Sequence, residues 1–248
     1  MEVKDLLYET RNQAAWITLN RPRLLNALSA EMLASIRRAY EAAGDDRDVR
    51  AVVITGAGRG FCAGADIHVM DNASLESFRA FLLPFTQLCS LIRNFPKPTI
   101  AAINGVAVGG GFELTLVCDF RIAARSATLG SHEVNINQPM TNGSTYLLSR
   151  LIGEGRAKLL GMSGEIIDVA QAERIGLVSS VVEDRGLTAA VEELVAKLVS
   201  VGPIAVACVK ECFARSRDVD IEAAVIFENE AATKCFVSES LSPVRLFG

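Results

Sequence analysis

The residues of this chain whose types and spacing could do chemistry are two acids and two groups of glycines. Gly109, Gly110 and Gly111 stand together where an apolar run, Thr99–Ile103, gives way to a helical pattern. Glycine lets main chain approach a ligand closely. At a helix start the N–H groups have no internal acceptor, and the macrodipole adds partial positive charge. An amide there stabilises an oxyanion. On the triplet alone, tight strand–helix packing explains the glycines equally well. Glu113 falls in the first turn after the triplet, and Glu133 follows 20 residues on, in GSHEVNINQP. Separately, the first would complement the helix dipole and the second would be a solvated loop acid. Brought together beside an oxyanion site, they could hold a water and exchange protons with a substrate carbon. Spacing alone does not decide whether they meet.

The second glycine group lies in VVITGAGRGFCAGADI at 52–67. Its TGAGRG also fits the phosphate turn of a dinucleotide fold, and Tyr146 with Arg150 has the spacing of a Tyr-x-x-x-Lys dyad. Placement argues against that reading. Such a turn should follow the first strand and carry an acid ~20 positions later. Here it follows at least two strands and runs into Phe61 and a further glycine. Arginine also lacks a lysine's adjustable pKa. His132, beside Glu133, could assist proton transfer, although a structural hydrogen bond is the simpler role.

These residues need a scaffold, and the hydrophobic pattern predicts one. Strands are expected around Leu6–Glu9 and Ala14–Leu19, joined by a turn at Arg11–Gln13, and then at Val52–Thr55, Thr99–Ile103, Phe120–Ala123 and Val178–Val182. Ser29 should cap a helix bearing Met32, Leu33, Ile36, Tyr40 and Ala43, closed by Gly44. A helix bent at Pro84 is predicted from Ser74 to Arg93, and another from Gly110 to Cys118. Further helices are expected near 144–151, 154–162 and 168–175 (the last capped by Asp168), then at 187–200, 203–215 and 219–236. Strands alternating with helices, then a helical tail, give an α/β core over 1–185 and a helical region over 186–248.

Composition excludes other classes. Half of the 248 residues are apolar and 22% are charged, as in a globular protein. A chain of this length buries roughly 70–75% of its unfolded surface and needs no staple. A net charge of −4 does not suit a general nucleic-acid binder. The six cysteines form no C-x-x-C pair and suit free thiols of a reducing compartment, and with only two histidines a zinc or haem site is not expected. No apolar run approaches the ~20 residues of a membrane span, and the N-terminus has no signal-peptide core. A cytoplasmic protein is expected, with no membrane and no nucleic-acid partner.

From about residue 5 to 237 the chain resembles the enoyl-CoA hydratase/isomerase (crotonase) family. The resemblance rests on ITLNRP and LNAL at 17–28, VVITGAGRGFCAGADI at 52–67, KPTIAAINGVAVGGGFEL at 97–114, CDFRIAARSATLG at 118–130 and AERIGLVSSVV at 172–182, in that order. It implies an α/β fold: a crotonase-like ββα superhelical core with a C-terminal α-helical trimerisation region, assembled as a trimer or a dimer of trimers. It also implies an oxyanion hole for an acyl-CoA thioester, made by the amides of Ala65 and Gly110. Arg23, Ala27, Ala63, Gly64, Asp66, Ile67 and Gly109 fall at positions that meet substrate or CoA; for Arg23 an ordinary surface role fits as well.

Both hydratase glutamates are present, Glu113 in GGG-x-E and Glu133 in place of the acid of Gln-Pro-Glu. The implied activity is hydration of a 2-enoyl-CoA, with Glu113 activating water and Glu133 protonating the α-carbon. Isomerisation, attack of water on a cyclic or aryl acyl-CoA, and a non-catalytic acyl-CoA binder are the alternatives. No metal, nicotinamide or flavin is implied, and CoA enters with the substrate. Two departures stand out. Ser131-His132 replaces Gln-Pro, and the usual glycine–proline stretch becomes NINQPMTNGSTYLL, with Asn135, Asn137, Gln138, Met140, Asn142 and Tyr146. This points to a polar or ring-shaped acyl group, or more simply to amides that satisfy loop backbone. The ending SESLSPVRLFG is shorter than the family tail that often helps cover the site.

Overall fold

In the computed structural model, residues 5–66 and 74–238 are described. β1 (Leu6–Arg11) and β2 (Ala14–Leu19) form an antiparallel hairpin in which Arg11 pairs with Ala14. Asn12 and Gln13 both have positive φ, 50° and 59°, as a two-residue hairpin turn of matching twist requires. β3 (Ala51–Gly56) is followed by β4 (Gly60–Cys62), β5 (Thr99–Ile103) by β6 (Val106–Val108), and β7 (Phe120–Ala124) by β8 (Thr128–Gly130). The first member of each pair adds in parallel to the hairpin, building a six-stranded sheet β1-β2-β3-β5-β7 that ends on β10 (Ser180–Val182). The second members form another sheet, β4-β6-β8, closed by antiparallel β9 (Ile166–Asp168). The sequence suggests glycine loops at β4 and β6 and gives no element at β8. Three residues are too few to show an alternation, so the second sheet left no periodic trace.

α1 (Ala30–Asp45) starts at Ser29, whose hydroxyl accepts from Met32 N at 3.2 Å. Gly44 does not close it: the helix passes through Gly44, where a Cβ would stand 3.5 Å from the Phe95 ring. α2 (Leu75–Arg93) continues through Pro84, which withholds one main-chain hydrogen bond. α3 (Gly110–Val117) is buried almost all round, the mark of a helix enclosed by the core. α4 (Ser144–Ile152), α5 (Glu154–Ser163) and α6 (Val169–Arg174) follow, the last capped by Asp168 as its side chain predicts. α7 (Leu187–Val199), α8 (Pro203–Arg215) and α9 (Ile221–Val237) complete the described chain.

The inner strands β2, β3, β5 and β7 are buried on both faces, which is why they read as nearly continuous apolar runs, whereas the edge strand β1 is largely exposed. Ile17, Val52 and Ile54 face a large core with Met32 and Ile36 of α1, Phe85 and Leu88 of α2, and Phe112 of α3. Trp16, Val53, Ile100 and Ile122 face a second core with Leu187, Val191 and Val195 of α7. α7 lies beyond the boundary expected at 185/186, yet it shares a core with the sheet. Among the described residues no helix is long and apolar enough to cross a membrane.

Candidate active site

The two glycine groups meet. Gly64 has φ +93°, and a Cβ on it would stand 3.1 Å from both Gly110 N and Val108 O. Glycine is therefore demanded twice, by conformation and by space. The segment after β4 is held by a parallel bridge to the 25–28 loop: Ala63 N donates to Leu25 O at 2.9 Å, Leu28 N to Gly64 O at 2.8 Å, and Asp66 N to Leu28 O at 2.9 Å. The Ala65 amide, between the last two, takes no part in that ladder. Gly109 caps α3 and donates its own N–H to Gly130 O. Gly110, the first helical residue, is left with an amide that has no acceptor within the helix. Ala65 and Gly110 are both half-buried, so two main-chain donors of neighbouring segments border accessible space.

The acids come to the same place. A Cβ on Gly109 would lie 3.5 Å from Glu133 Oε1 and 3.4 Å from His132 Cε1. Glu133 opens a short 3-10 turn, Glu133–Ile136, rather than an irregular loop, and its Oε2 accepts from Ser131 Oγ at 2.5 Å. Glu113 is 2% exposed. Its Oε1 accepts from Thr141 N, and its Oε2 from Thr141 Oγ1 at 3.0 Å and Asn142 Nδ2 at 2.6 Å. Burial pushes its carboxyl upward; the Thr141 and Asn142 donors oppose this, and the Glu133 charge adds to the upward push, so the net shift is above the ordinary value. The Glu133 charge is thus felt at Glu113.

The other predicted residues divide. Ala27, Gly64 and Gly109 are buried in the framework, Ala63 is half-buried beside Ala65, and Arg23 is exposed on the turn before the 25–28 loop. Asp66 is buried and paired with Arg21 at 2.8 Å, while Arg21 Nη1 also donates to Ala27 O at 2.7 Å. Ile67 lies outside the described residues. His132 Nδ1 is buried without a hydrogen-bond partner, so no structural bond occupies that nitrogen. Burial pushes the Cys62 thiol up to about 12, which leaves it protonated and no nucleophile. Tyr146 donates to Asp218 under the Arg150 guanidinium and is tied to the C-terminal helices.

The polar 135–146 stretch, expected to shape the acyl pocket or to satisfy loop backbone, has another use at two of its residues. Thr141 and Asn142 engage Glu113, and Thr86 of α2 donates to Asn142 Oδ1 at 2.7 Å. Nothing local distinguishes Arg21 from Arg23, because its Asp66 partner lies 45 residues away. Two main-chain amides outside the surrounding ladder, with carboxyls in the same corner, can bind a carbonyl that becomes an oxyanion while moving protons at adjacent carbons.

Comparison with known proteins is consistent along nearly all of the chain. The sequence profile described as Enoyl-CoA hydratase/isomerase matches residues 9–242. A short-chain-enoyl-CoA hydratase of Clostridium acetobutylicum is 38% identical over 240 residues, covering 96% of this chain and 92% of that protein. A crotonyl-CoA hydratase of Syntrophomonas wolfei is also 38% identical over 240 residues, with the same coverage of 96% and 92%. The crystal structure of an enoyl-CoA hydratase from Bacillus anthracis superposes with a TM-score of 0.93 at 36% identity, covering 95% of this chain and 92% of that one.

Proposed function

Because the chain belongs to the enoyl-CoA hydratase/isomerase family, we propose that it adds water across the 2,3 double bond of an enoyl-CoA thioester. The observation that carries this is the convergence of Glu113 and Glu133 on the corner where the Ala65 and Gly110 amides lie open. The thioester oxygen accepts from both amides, and as it gains enolate charge a preorganised donor contributes roughly 3–4 kcal/mol. Glu113 takes a proton from the water that bonds to the β-carbon. Glu133, entering the step protonated, gives its proton to the α-carbon as the enolate collapses, and the proton held by Glu113 passes back to it through solvent to reset the pair. The upward-shifted carboxyl of Glu113 makes it a better base than an exposed glutamate. Ala63 and Asp66, the latter fixed by Arg21, lie on the segment that carries Ala65 and would frame the CoA end, with Arg23 near its phosphates.

Hydration transfers no electrons, so CoA is needed only as part of the substrate. Names of relatives that specify short-chain and crotonyl esters support a short acyl group as first choice. Assembly as a trimer or dimer of trimers is part of the proposal, supported by exposed apolar side chains on α8 and α9. A cytoplasmic setting is supported by six free thiols, four of them buried.

The test is loss of enoyl-thioester absorbance with short, branched and cyclic esters, alongside oxygen-18 uptake from labelled water, which isomerisation would not give. Glu113→Gln and Glu133→Gln should each lower turnover by about 10²- to 10⁴-fold while ester affinity holds within a few-fold. A double variant that turns over normally would overturn the assignment.

A further inference from the structure

Glu113 must be charged to act as a base, yet burial favours its neutral form. The groups that oppose burial are specific. Thr141 N–H reaches Oε1, the Thr141 hydroxyl lies 3.0 Å from Oε2 and 3.2 Å from Oε1, and Asn142 Nδ2 lies 2.6 Å from Oε2. A carboxylate has about four lone-pair positions. With the hydroxyl on its nearer oxygen, both positions on Oε2 are filled and one on Oε1 stays open. Asn142 is itself held at both ends of its amide. Nδ2 also donates to Thr141 Oγ1 at 2.9 Å, which turns that hydroxyl's own hydrogen toward Glu113, and Oδ1 accepts from Thr86 at 2.7 Å. The amide cannot rotate without losing bonds on both sides.

We propose that Asn142, aimed by Thr86, is a positioning residue for hydration: it fixes the Glu113 carboxylate so that a single Oε1 lone pair takes the proton of the attacking water. This rests on Glu113 being the base in the reading above. Thr141 supplies two of the three donors, but one is main chain and survives most substitutions. Asn142 and Thr86 are the side chains by which the arrangement is tuned. The other titratable or charged groups around Glu113 are Glu133, Cys89 of α2, whose buried thiol is held up and stays neutral, and Arg93, whose guanidinium reaches Gly143 beside Asn142.

The experiment compares the full chain with Asn142→Ala, Thr86→Val and Thr86→Ser. For Asn142→Ala, kcat should fall about 10- to 100-fold with KM within threefold. The acid limb of the kcat profile should move to higher pH, because a donor that favours the charged carboxylate is gone. Thr86→Val, on an exposed side chain that folding does not need, should move both quantities in the same direction by less, and Thr86→Ser should restore them. In parallel, carboxyl-labelled glutamate followed by NMR, with the Glu113 signal assigned by its loss in Glu113→Gln, should titrate at higher pH in Asn142→Ala. Unchanged kcat with an unmoved Glu113 titration in both Asn142→Ala and Thr86→Val overturns the proposal. So does a rise in KM at constant kcat, which would make Asn142 a substrate contact. If the wild type hydrates no ester, the functional reading fails by itself, and the carboxyl titration still decides whether the clamp sets the charge of Glu113.

Discussion

Glu113 keeps a proton more tightly in the folded chain than in the unfolded one, because burial outweighs the Thr141 and Asn142 donors. A group with a raised native pKa contributes stability that is fully present below its unfolded pKa, about 4.3. That contribution is lost as pH rises through the native value. Relative to wild type, Glu113→Gln should therefore gain stability as pH rises above about 4.3, whatever its offset at acid pH. Denaturant midpoints of the two proteins across that range read the effect, and parallel pH dependences would refute it. At this scale the sequence reading was uneven, for a physical reason. Glu113 and Glu133 sit in stretches whose glycines announce a main-chain site, so both could be picked out. The residues that hold Glu113 carry no such sign of their role. Thr86, Thr141 and Asn142 are ordinary helix and loop types whose value lies in contacts across 28 to 56 positions.

The element that aims the Ala65 amide is the 20–28 loop, and Asn26 organises it. Asn26 is fully buried, accepts from Arg21 N at 2.9 Å, and donates to the carbonyls of Ala57, Gly60 and Phe61 at 3.0, 2.8 and 3.2 Å. Leu25 and Asn26 both adopt left-handed backbone, φ 48° and 59°, which a leucine takes up only when its surroundings impose it. Asn26→Ala would take this donor from the Ala57 and Phe61 carbonyls and leave Gly60 O only its longer bond from Asn104, and should cost about 2–3 kcal/mol. For a chain of this size that is a fall of roughly 5–10 °C in Tm. Calorimetry checks this, and turnover should fall further than stability explains, since the 25–28 loop bridges to Gly64 and Asp66. A Tm unchanged within a degree would show that the amide is dispensable. Element by element, the six-stranded sheet was legible because its two cores leave strands such as AVVIT and TIAAI apolar on both faces. The second sheet was not, because strands of three residues rich in glycine are set by tertiary pairing rather than by pattern.

At the scale of the molecule, the C-terminal helices are tied inward yet leave apolar surface outward. Lys210 of α8 pairs with Asp119 at 2.7 Å, the same carboxylate that accepts from Thr99 N at 2.8 Å, and Arg150 and Tyr146 of α4 both hold Asp218. With α8 fixed in this way, Val209 and Phe213, one turn apart, stay exposed, as do Ile221, Ile226 and Phe236 of α9. An apolar cleft of about 760 Å³, lined by Leu116, Phe120, Leu151, Val206 and Phe213, runs between α8 and the core. Side chains as exposed as Phe213 and Phe236, at 73% and 74%, mark surface that an isolated soluble chain rarely leaves bare over two helices. If the proposed trimer or dimer of trimers forms over these faces, sedimentation should return three or six times the 26.6 kDa chain mass. Phe213→Asp combined with Ile226→Asp should shift the protein toward monomer at micromolar concentration and make its melting depend on concentration. Because the salt links of Lys210 and Asp218 do not involve the substituted side chains, the dissociated chain should keep its helical content by circular dichroism. A wild type that sediments as a monomer would mean that these faces are covered by something other than copies of this chain.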